Sequence, residues 1–314
     1  MSNARHLRSL LDLSPAETMR VVELAAQIKA DPSLAAGSLA GKSIAMIFAK
    51  QSTRTRISFE VGIHQLGAQA LALSSGGGTG MQMGRGESIH DTAKVLSRYI
   101  DAIVIRTYGQ AQVDGLAEHG SVPVINALTD LYHPCQGLAD LLTIHEHCGG
   151  TKGKKLVWVG AGNNVAHTLL LAGPRAGMDV VCCVPESLPP NAFVVERARR
   201  DAAAAGTTIE LSSDPVAAVA GANVIYADTW VSMGEEEEAK RLLQLLAPYQ
   251  VNDALMAAAG EQARFMHCLP AHRNEEVTDS VMDGPQSVVF DQAENRLHAQ
   301  KALLMLLLGA RSWT

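Results

Sequence analysis

The stretch that decides the fold is residues 43–56, which read SIAMIFAKQSTRTR. Residues 43–48 are a short apolar run, and this pattern predicts a buried strand. A polar segment follows at once and leads into a helical pattern over 53–66, which ends at Gly67. A buried strand that runs directly into a helix predicts a parallel sheet with crossover helices.

The start of that helix, residues 52–56, carries groups suited to an anion. Ser52, Thr53, Arg54, Thr55 and Arg56 combine free backbone N–H groups with hydroxyls and two guanidiniums. A phosphate dianion binds to such groups, because they offer oriented donors, the positive end of a helix and bidentate forks. An ordinary capped helix with solvated arginines is the alternative, but the density of donors favours an anion site.

The alternation of strands and helices continues over the rest of the chain. In the first half, the pattern predicts further strands at 69–73, 102–106 and 122–126, and helices at 15–30, 91–99 and 136–148. After a glycine-rich break at 149–153, it predicts strands at 156–159, 179–184, 208–211, 224–227, 264–267 and 287–290, and a last apolar helix over 294–308. Two such series predict an α/β protein with two doubly wound parallel-sheet domains.

Polar residues at two further helix starts are candidate site residues. His133 and Gln136 lie one turn apart, so both can donate to a carbonyl oxygen in a cleft. A helix begun by Pro134 with a satisfied histidine would explain them equally. Arg296 opens the last helix, where it either contacts an anion or is solvated.

Two strand ends in the second half are candidates for an amino-acid site. Asp228 follows one strand, and ligands of open parallel sheets bind beyond the carboxyl ends of the strands. We therefore expect Asp228 to meet a cationic group, with Ser232 and Met233 shaping the pocket. Cys268 follows the next strand, where it either faces the ligand or is a small buried hydrophobe.

The glycine-rich turn at 160–164, GAGNN, begins like a dinucleotide-binding fingerprint. Glu186 ends the next strand, where a ribose-binding acid would lie. Position 165 is Val, however, so the third glycine is missing. An NAD-dependent oxidoreductase is therefore a distant alternative.

Composition narrows the class of protein. A net charge of −6 argues against a broad nucleic-acid surface, and no run approaches the roughly 20 apolar residues of a membrane helix. We expect no signal peptide, and five cysteines without Cys-x-x-Cys spacing indicate free thiols in a reducing compartment, the cytoplasm. The residues 145–148 do not place three metal ligands on one helical face, so no metal site is expected.

Taken together and in order, these motifs resemble the aspartate/ornithine carbamoyltransferase family over about residues 7–308. Ser-Thr-Arg-Thr-Arg at 52–56 and His-Pro-x-Gln at 133–136 are similar to motifs shared across that family. The segments 228–234 and 267–270, DTWVSMG and HCLP, resemble its ornithine-specific branch. Aspartate transcarbamylases share the first pair of motifs but lack the second.

The resemblance implies a fold and a reaction. Two domains would be joined by two interdomain helices: a carbamoyl-phosphate-binding domain at 1–135, a helix at 136–150, an ornithine-binding domain at 151–291, and a C-terminal helix at 292–314 that packs back on the first domain. The carbamoyl group of carbamoyl phosphate would pass to the δ-amine of L-ornithine, giving citrulline and phosphate in arginine biosynthesis, or the reverse reaction would take place in arginine catabolism. N-acetylornithine, putrescine and aspartate are the alternative acceptors. No metal or organic cofactor is implied, and the partners would be these substrates in a homotrimer or a multiple of trimers.

The resemblance also implies site residues. Those for carbamoyl phosphate are Ser52, Thr53, Arg54, Thr55, Gln82, Arg106, His133, Gln136, Cys268, Leu269 and Arg296, with Gln82 reaching the site of a neighbouring subunit. Those for ornithine are Leu128, Asn164, Asp228, Ser232 and Met233. The catalytic residues among them would be Arg54, Arg106, His133 and Cys268.

Overall fold

The computed structural model describes residues 4–50, 52–74, 86–231 and 238–314. The predicted site residues Gln82, Ser232 and Met233 lie outside these ranges. The chain divides into two compact units: unit 1 comprises Met1–Ala139 and Asn295–Thr314, and unit 2 comprises Asp140–Glu294. Both divisions fall inside a helix, and the domain bounds expected from the sequence stay predictions.

Unit 1 is built on four parallel strands with helices between them. The strands are β1 (Ser43–Phe48), β2 (Gln69–Ser74), β3 (Ala102–Arg106) and β4 (Val124–Leu128). The helices are α1 (Pro15–Ala30), α2 (Thr53–Gln65), α3 (Ile89–Leu96), α4 (Gln110–His119), the first part of α5 (Pro134–His147) and the last part of α12 (Val289–Leu307). The strand order is β2-β1-β3-β4, with every pair parallel.

The order of the strands in unit 1 decides where its site lies. The chain passes from β1 outward to β2, then returns to place β3 on the other side of β1. The crevice beyond the carboxyl ends of β1 and β3 is therefore the topological switch point, where open α/β sheets bind their ligands. The predicted anion-binding segment 52–56 follows β1, and Arg106 is the last residue of β3.

Unit 2 repeats this plan with five parallel strands. They are β5 (Lys155–Val159), β6 (Asp179–Cys183), β7 (Ile209–Ser212), β8 (Val224–Ala227) and β9 (Arg264–His267). The helices are α6 (Asn164–Arg175), α7 (Ala192–Ala205), α8 (Pro215–Val219), α9 (Ala239–Leu246), α10 (Asp253–Ala259) and α11 (Asp279–Met282). The strand order is β7-β6-β5-β8-β9, so the switch point lies between β5 and β8, next to residues 160–164 and Asp228.

The sixth strand predicted for this half, residues 287–290, is not a strand. Ser287 makes one isolated bridge to Phe265, and helix α12 begins at Val289. A short apolar run at a helix start has the same composition as a buried strand, so periodicity could not separate the two.

The cores of both units are mainly aliphatic, and only 4% of the residues of the chain are aromatic. The strands of unit 1 bury Ala45, Ile47, Ile103 and Ile105 in one cluster against α3 and α4. All five cysteines lie in described segments and are free thiols. In the described parts of the chain, none of the helices has the length and hydrophobicity to span a bilayer.

Candidate active site

In unit 1, the amino-terminal end of α2 is a candidate site. Ser52 caps the helix, because its hydroxyl accepts the Thr55 N–H at 3.2 Å. The N–H groups of Thr53 and Arg54 have no acceptor within a helix at these positions. Arg54 is exposed beside them, so an anion at this end would meet backbone donors, a guanidinium and the positive end of the helix dipole.

Thr55 connects this helix end to three distant segments. Its buried hydroxyl accepts from Arg106 Nη1 at 3.3 Å and from Arg296 Nη2 at 2.8 Å. The Nη1 atom of Arg296 donates to Gln136 Oε1 at 3.0 Å. Residues from α2, β3, α5 and α12 thus form one hydrogen-bonded group, with 241 positions between Thr55 and Arg296.

His133 precedes α5 and is buried in unit 1. Desolvation, followed by the charges of Arg296 and Arg106, holds the pKa of His133 well below its ordinary value. The imidazole is therefore neutral near pH 7 and can donate one N–H to a carbonyl oxygen without adding a charge. Leu128 ends β4 and is half-buried.

In unit 2, the side chain of Asp228 is the centre of a candidate site. It is 8% exposed and follows β8. Its carboxylate accepts from Asn163 Nδ2 at 2.8 Å, from Cys268 Sγ at 3.0 Å and from the Thr229 N–H at 2.8 Å. Asp228 and Cys268, which the sequence predicts as site residues, are thus in direct contact, and Leu269 follows.

A buried histidine fixes the segment that carries Cys268. The Leu269 N–H donates to Nδ1 of His267 at 2.9 Å, so Nδ1 is an acceptor. The proton therefore lies on Nε2, which donates to Oε1 of the fully buried Glu276 at 3.1 Å. Glu276 also accepts the backbone N–H of His272 at 2.6 Å. Sequence reasoning missed Glu276, because nothing in the spacing marks it.

Asn163, the neighbour of the predicted site residue Asn164, contacts Asp228. Asn163 caps α6, since its Oδ1 accepts the N–H groups of Val165 and Ala166 at 3.0 Å each. Its amide nitrogen is then left to donate to Asp228. Asn164 is the first residue of α6 and is half-buried, and its predicted contact with ornithine stays a prediction. Because both residues are Asn, the preference of Asn for the cap position does not by itself indicate which of the two caps α6.

The turn that resembles a dinucleotide fingerprint is packed against protein backbone. A Cβ atom at Gly162 would lie 2.2 Å from the nitrogen of Pro190 and 2.4 Å from the carbonyl carbon of Pro189. In dinucleotide-binding folds the corresponding glycine lets the backbone approach a pyrophosphate. Here Gly162 is needed for the approach of the 189–190 segment, which removes the structural basis of the oxidoreductase alternative.

Two groups of described residues place possible metal ligands close together. Their ligand atoms lie within 4.8 Å of one another: Asp228, His267 and Cys268 in one group, and His272, Glu275 and Glu276 in the other. In the first group, both ring nitrogens of His267 already have hydrogen-bond partners, and the thiol donates to the carboxylate. These hydrogen bonds are sufficient to explain why the three side chains lie together.

The sequence matches two family models over nearly its whole length. The carbamoyl-P binding domain of the aspartate/ornithine carbamoyltransferases matches residues 5–146, and their Asp/Orn binding domain matches residues 152–307. An ornithine carbamoyltransferase of Methanobrevibacter smithii is 53% identical over 304 residues, covering 97% of this chain and 98% of its own. The anabolic ornithine carbamoyltransferase of Pyrococcus furiosus is 51% identical over 307 residues, covering 97% of this chain and 96% of its own.

The fold matches a solved structure equally well. The ornithine carbamoyltransferase structure from Pyrococcus furiosus superposes with a TM-score of 0.94 at 50% identity, over 99% of this chain and 100% of that one. The site residues of both units and these matches lead to one conclusion: the chain belongs to the aspartate/ornithine carbamoyltransferase family.

Proposed function

We propose that this protein transfers the carbamoyl group of carbamoyl phosphate to the δ-amine of L-ornithine, forming L-citrulline and phosphate in arginine biosynthesis. The observation that carries the proposal is the group formed by Thr55, Arg106, Arg296 and Gln136 at the amino-terminal end of α2. The anabolic Pyrococcus furiosus relative supports the biosynthetic direction.

The carbamoyl-phosphate half of the reaction follows from the chemistry of unit 1. The phosphate would bind at the N–H groups of the α2 end, Ser52, Thr53 and Arg54. Attack by the amine gives a tetrahedral intermediate whose oxygen is negative, and each preorganised donor to that oxygen can contribute about 3 kcal/mol. Arg106 and the neutral His133 supply such donors. Gln136 would bind the carbamoyl amide, and Arg54 and Arg296 would stabilise the leaving phosphate.

The ornithine half rests on Asp228. A buried carboxylate among neutral donors is a suitable partner for the α-ammonium group of a free amino acid. N-acetylornithine has no such cation, putrescine has no α-carboxylate, and aspartate has no second amine. Asn164, Leu128, Ser232 and Met233 are proposed to complete this pocket, which favours ornithine over the three alternative acceptors.

Cys268 is proposed to help remove the proton that the δ-amine must lose before it attacks. An alkyl amine has a pKa near 10, so the charged form dominates in water, and exclusion of water favours the neutral form. The thiol of Cys268 donates to Asp228 at 3.0 Å and can relay a proton there. For Cys268→Ser, we expect a raised KM for ornithine and a displaced pH–rate profile. Wild-type values for both would exclude this role.

A panel of amines tests the substrate directly. Carbamoyl phosphate is held constant while ornithine, N-acetylornithine, putrescine and aspartate are offered in parallel, and the carbamoylated products are measured. We expect turnover with ornithine alone. Turnover with only another amine would overturn the role of Asp228 but keep the phosphate half, and no turnover with any would overturn the proposal.

We further propose a cytoplasmic homotrimer, or a multiple of trimers, in which Gln82 reaches a neighbouring site. In support, the outer edge of β4 is covered by Leu7, whereas among the described residues no segment pairs with the outer edge of β2. A cavity of about 720 Å³ lies beside β2. It is bordered by Ile57 and Val61 of α2, which are 54% and 40% exposed.

A further inference from the structure

We propose that Gln292 is a positioning residue of the ornithine site, which holds the end of β9, and with it Cys268, through a single side-chain hydrogen bond. Gln292 lies in the first turn of α12 and is fully buried in unit 2. Gln292 is not among the residues proposed to contact a substrate, so its effect on the reaction would be indirect, through the position of Cys268. The inference rests on the proposed function for its kinetic consequence, but its structural part can be measured separately.

The hydrogen bond from the His267 N–H to Gln292 replaces one that a further strand beside β9 would make. β9 is the edge strand of unit 2, so the N–H groups on its outer side need other acceptors. At Phe265, the backbone of Gln286 accepts at 2.9 Å. At His267, the last residue of β9, the acceptor is Oε1 of Gln292 at 2.8 Å. A side chain thus takes the place of a neighbouring strand at the position that precedes Cys268.

Asp140 fixes the orientation of the Gln292 amide. Nε2 of Gln292 donates to Oδ1 of Asp140 at 2.7 Å and to the hydroxyl of Tyr226 at 2.9 Å. Tyr226 in turn donates to Asp140 at 3.3 Å, and burial raises the pKa of Tyr226 well above its ordinary value, so it stays a donor. If the amide were reversed, its oxygen would face the carboxylate of Asp140. Asp140 therefore leaves Oε1 directed at His267.

The position of His267 determines that of the reactive segment. The next residue, Cys268, must place its thiol 3.0 Å from Asp228. The ring of His267 also accepts the Leu269 N–H. Releasing the backbone of His267 would therefore displace Cys268 relative to Asp228. The contacts of Gln292 described above involve only residues of unit 2, whereas the residues proposed to bind phosphate lie in unit 1.

The experiment compares two variants of the full-length protein. Gln292→Met keeps the length of the side chain but removes the acceptor of the His267 N–H and the donor to Asp140. Tyr226→Phe removes one partner of the amide but leaves the bond to His267. For each, KM is measured for ornithine and for carbamoyl phosphate. Alkylation of Cys268 by iodoacetamide is followed by peptide mass spectrometry, with the half-buried Cys148 as the internal reference.

For Gln292→Met, we expect at least a tenfold higher KM for ornithine and a KM for carbamoyl phosphate within twofold of wild type. Cys268 should be alkylated at least threefold faster, with Cys148 unchanged. Tyr226→Phe should stay within threefold of wild type in all four measurements. If Gln292→Met does not fold, Asp140→Asn takes its place, with at least a threefold rise in the KM for ornithine expected.

Two results would overturn the inference. One is a folded Gln292→Met protein with wild-type KM for ornithine and wild-type alkylation of Cys268. The other is an equal effect of Tyr226→Phe, because that would mean a general loosening of the core. A wild-type protein that makes no citrulline would instead refute the proposed function, and the alkylation rates, which need no ornithine, would still decide the role of Gln292.

Discussion

At the scale of single residues, Thr55 organises the proposed phosphate site. Its hydroxyl accepts hydrogen bonds from the guanidiniums of both Arg106 and Arg296. Without this shared acceptor, the two positive charges would repel each other and the side chains could adopt other rotamers. The arginines are thereby held in place before any substrate arrives. Preorganisation of this kind is what makes donors effective toward a developing oxyanion, since they need not reorganise during the reaction.

Arg54 tests this site without disturbing the fold. Its side chain is exposed in the first turn of α2, so we expect Arg54→Ala to leave the unfolding free energy within about 0.5 kcal/mol of wild type. Loss of a donor to the leaving phosphate should lower kcat on the order of 100-fold. Steady-state kinetics and urea unfolding give both values.

Arg56→Ala is the matched control: Arg56 belongs to the segment 52–56 and is also exposed, but its guanidinium pairs with Glu60 at 3.5 Å and is not among the residues proposed to bind phosphate. It should change kcat less than about threefold, since a solvated ion pair contributes little. Near-normal turnover of Arg54→Ala, or an equal loss in Arg56→Ala, would contradict the assignment.

His133 predicts a dependence of stability on pH. Its pKa is lowered in the folded state, so below about pH 6.5 the unfolded chain binds a proton that the folded chain does not. Its contribution is therefore fully present above pH 6.5 and is lost as the pH falls below it, by up to about 1.4 kcal/mol per pH unit.

In His133→Gln, the loss of stability between about pH 6.5 and pH 5 should be shallower than in wild type, as measured by urea unfolding. A His133→Gln slope equal to that of wild type would mean that His133 is not held neutral.

At the scale of elements, the cap of α2 is proposed both to stabilise the helix and to present its end to the phosphate. Variants of two capping serines distinguish these two roles. Ser52 caps α2 and Ser14 caps α1, each through a hydrogen bond of 3.2 Å to a backbone N–H. Replacing either by Ala should cost about 1 kcal/mol of stability. Only Ser52→Ala should also raise the KM for carbamoyl phosphate, because α2 alone presents its end to the proposed phosphate.

Thermal unfolding and steady-state kinetics of both variants check this prediction. Ser52→Thr keeps a cap and should recover most of the stability. A Ser14→Ala protein with the same rise in KM would show that reduced stability, rather than the helix end, weakens binding.

The sequence predicts elements better than it predicts contacts between them. The strand β1 and the start of α2 are readable because apolar runs and cap residues act locally. Residues 287–290 were misassigned because they share their composition with a strand. The contact of Asn163 with Asp228 was missed, because it depends on Asn163 being the residue that caps α6. The bond between Gln292 and Asp140 spans 152 positions and leaves no periodic trace.

At the scale of the whole molecule, we expect the apolar surface beside β2 to form the contact between copies in the proposed trimer. Exposed Ile57 and Val61 lie one turn apart on α2. Ile57→Lys combined with Val61→Glu should dissociate the oligomer, because it places two charges on a surface that would be desolvated. Sedimentation velocity gives the mass of each protein.

Val216→Lys is the control, since Val216 of α8 in unit 2 is 63% exposed. It should leave the oligomer intact. An unchanged mass for the double variant would place the contact between copies elsewhere, and a monomeric wild-type protein would contradict the trimer.

The stoichiometry of the reaction tests carbamoyl transfer most directly. Purified protein is given carbamoyl phosphate labelled in the carbamoyl carbon together with ornithine, and labelled citrulline and free phosphate are quantified at the same times. Carbamoyl transfer predicts that the two products rise in equal amounts and that the release of phosphate above the spontaneous rate needs ornithine. Phosphate released by the protein without matching citrulline would contradict carbamoyl transfer to ornithine.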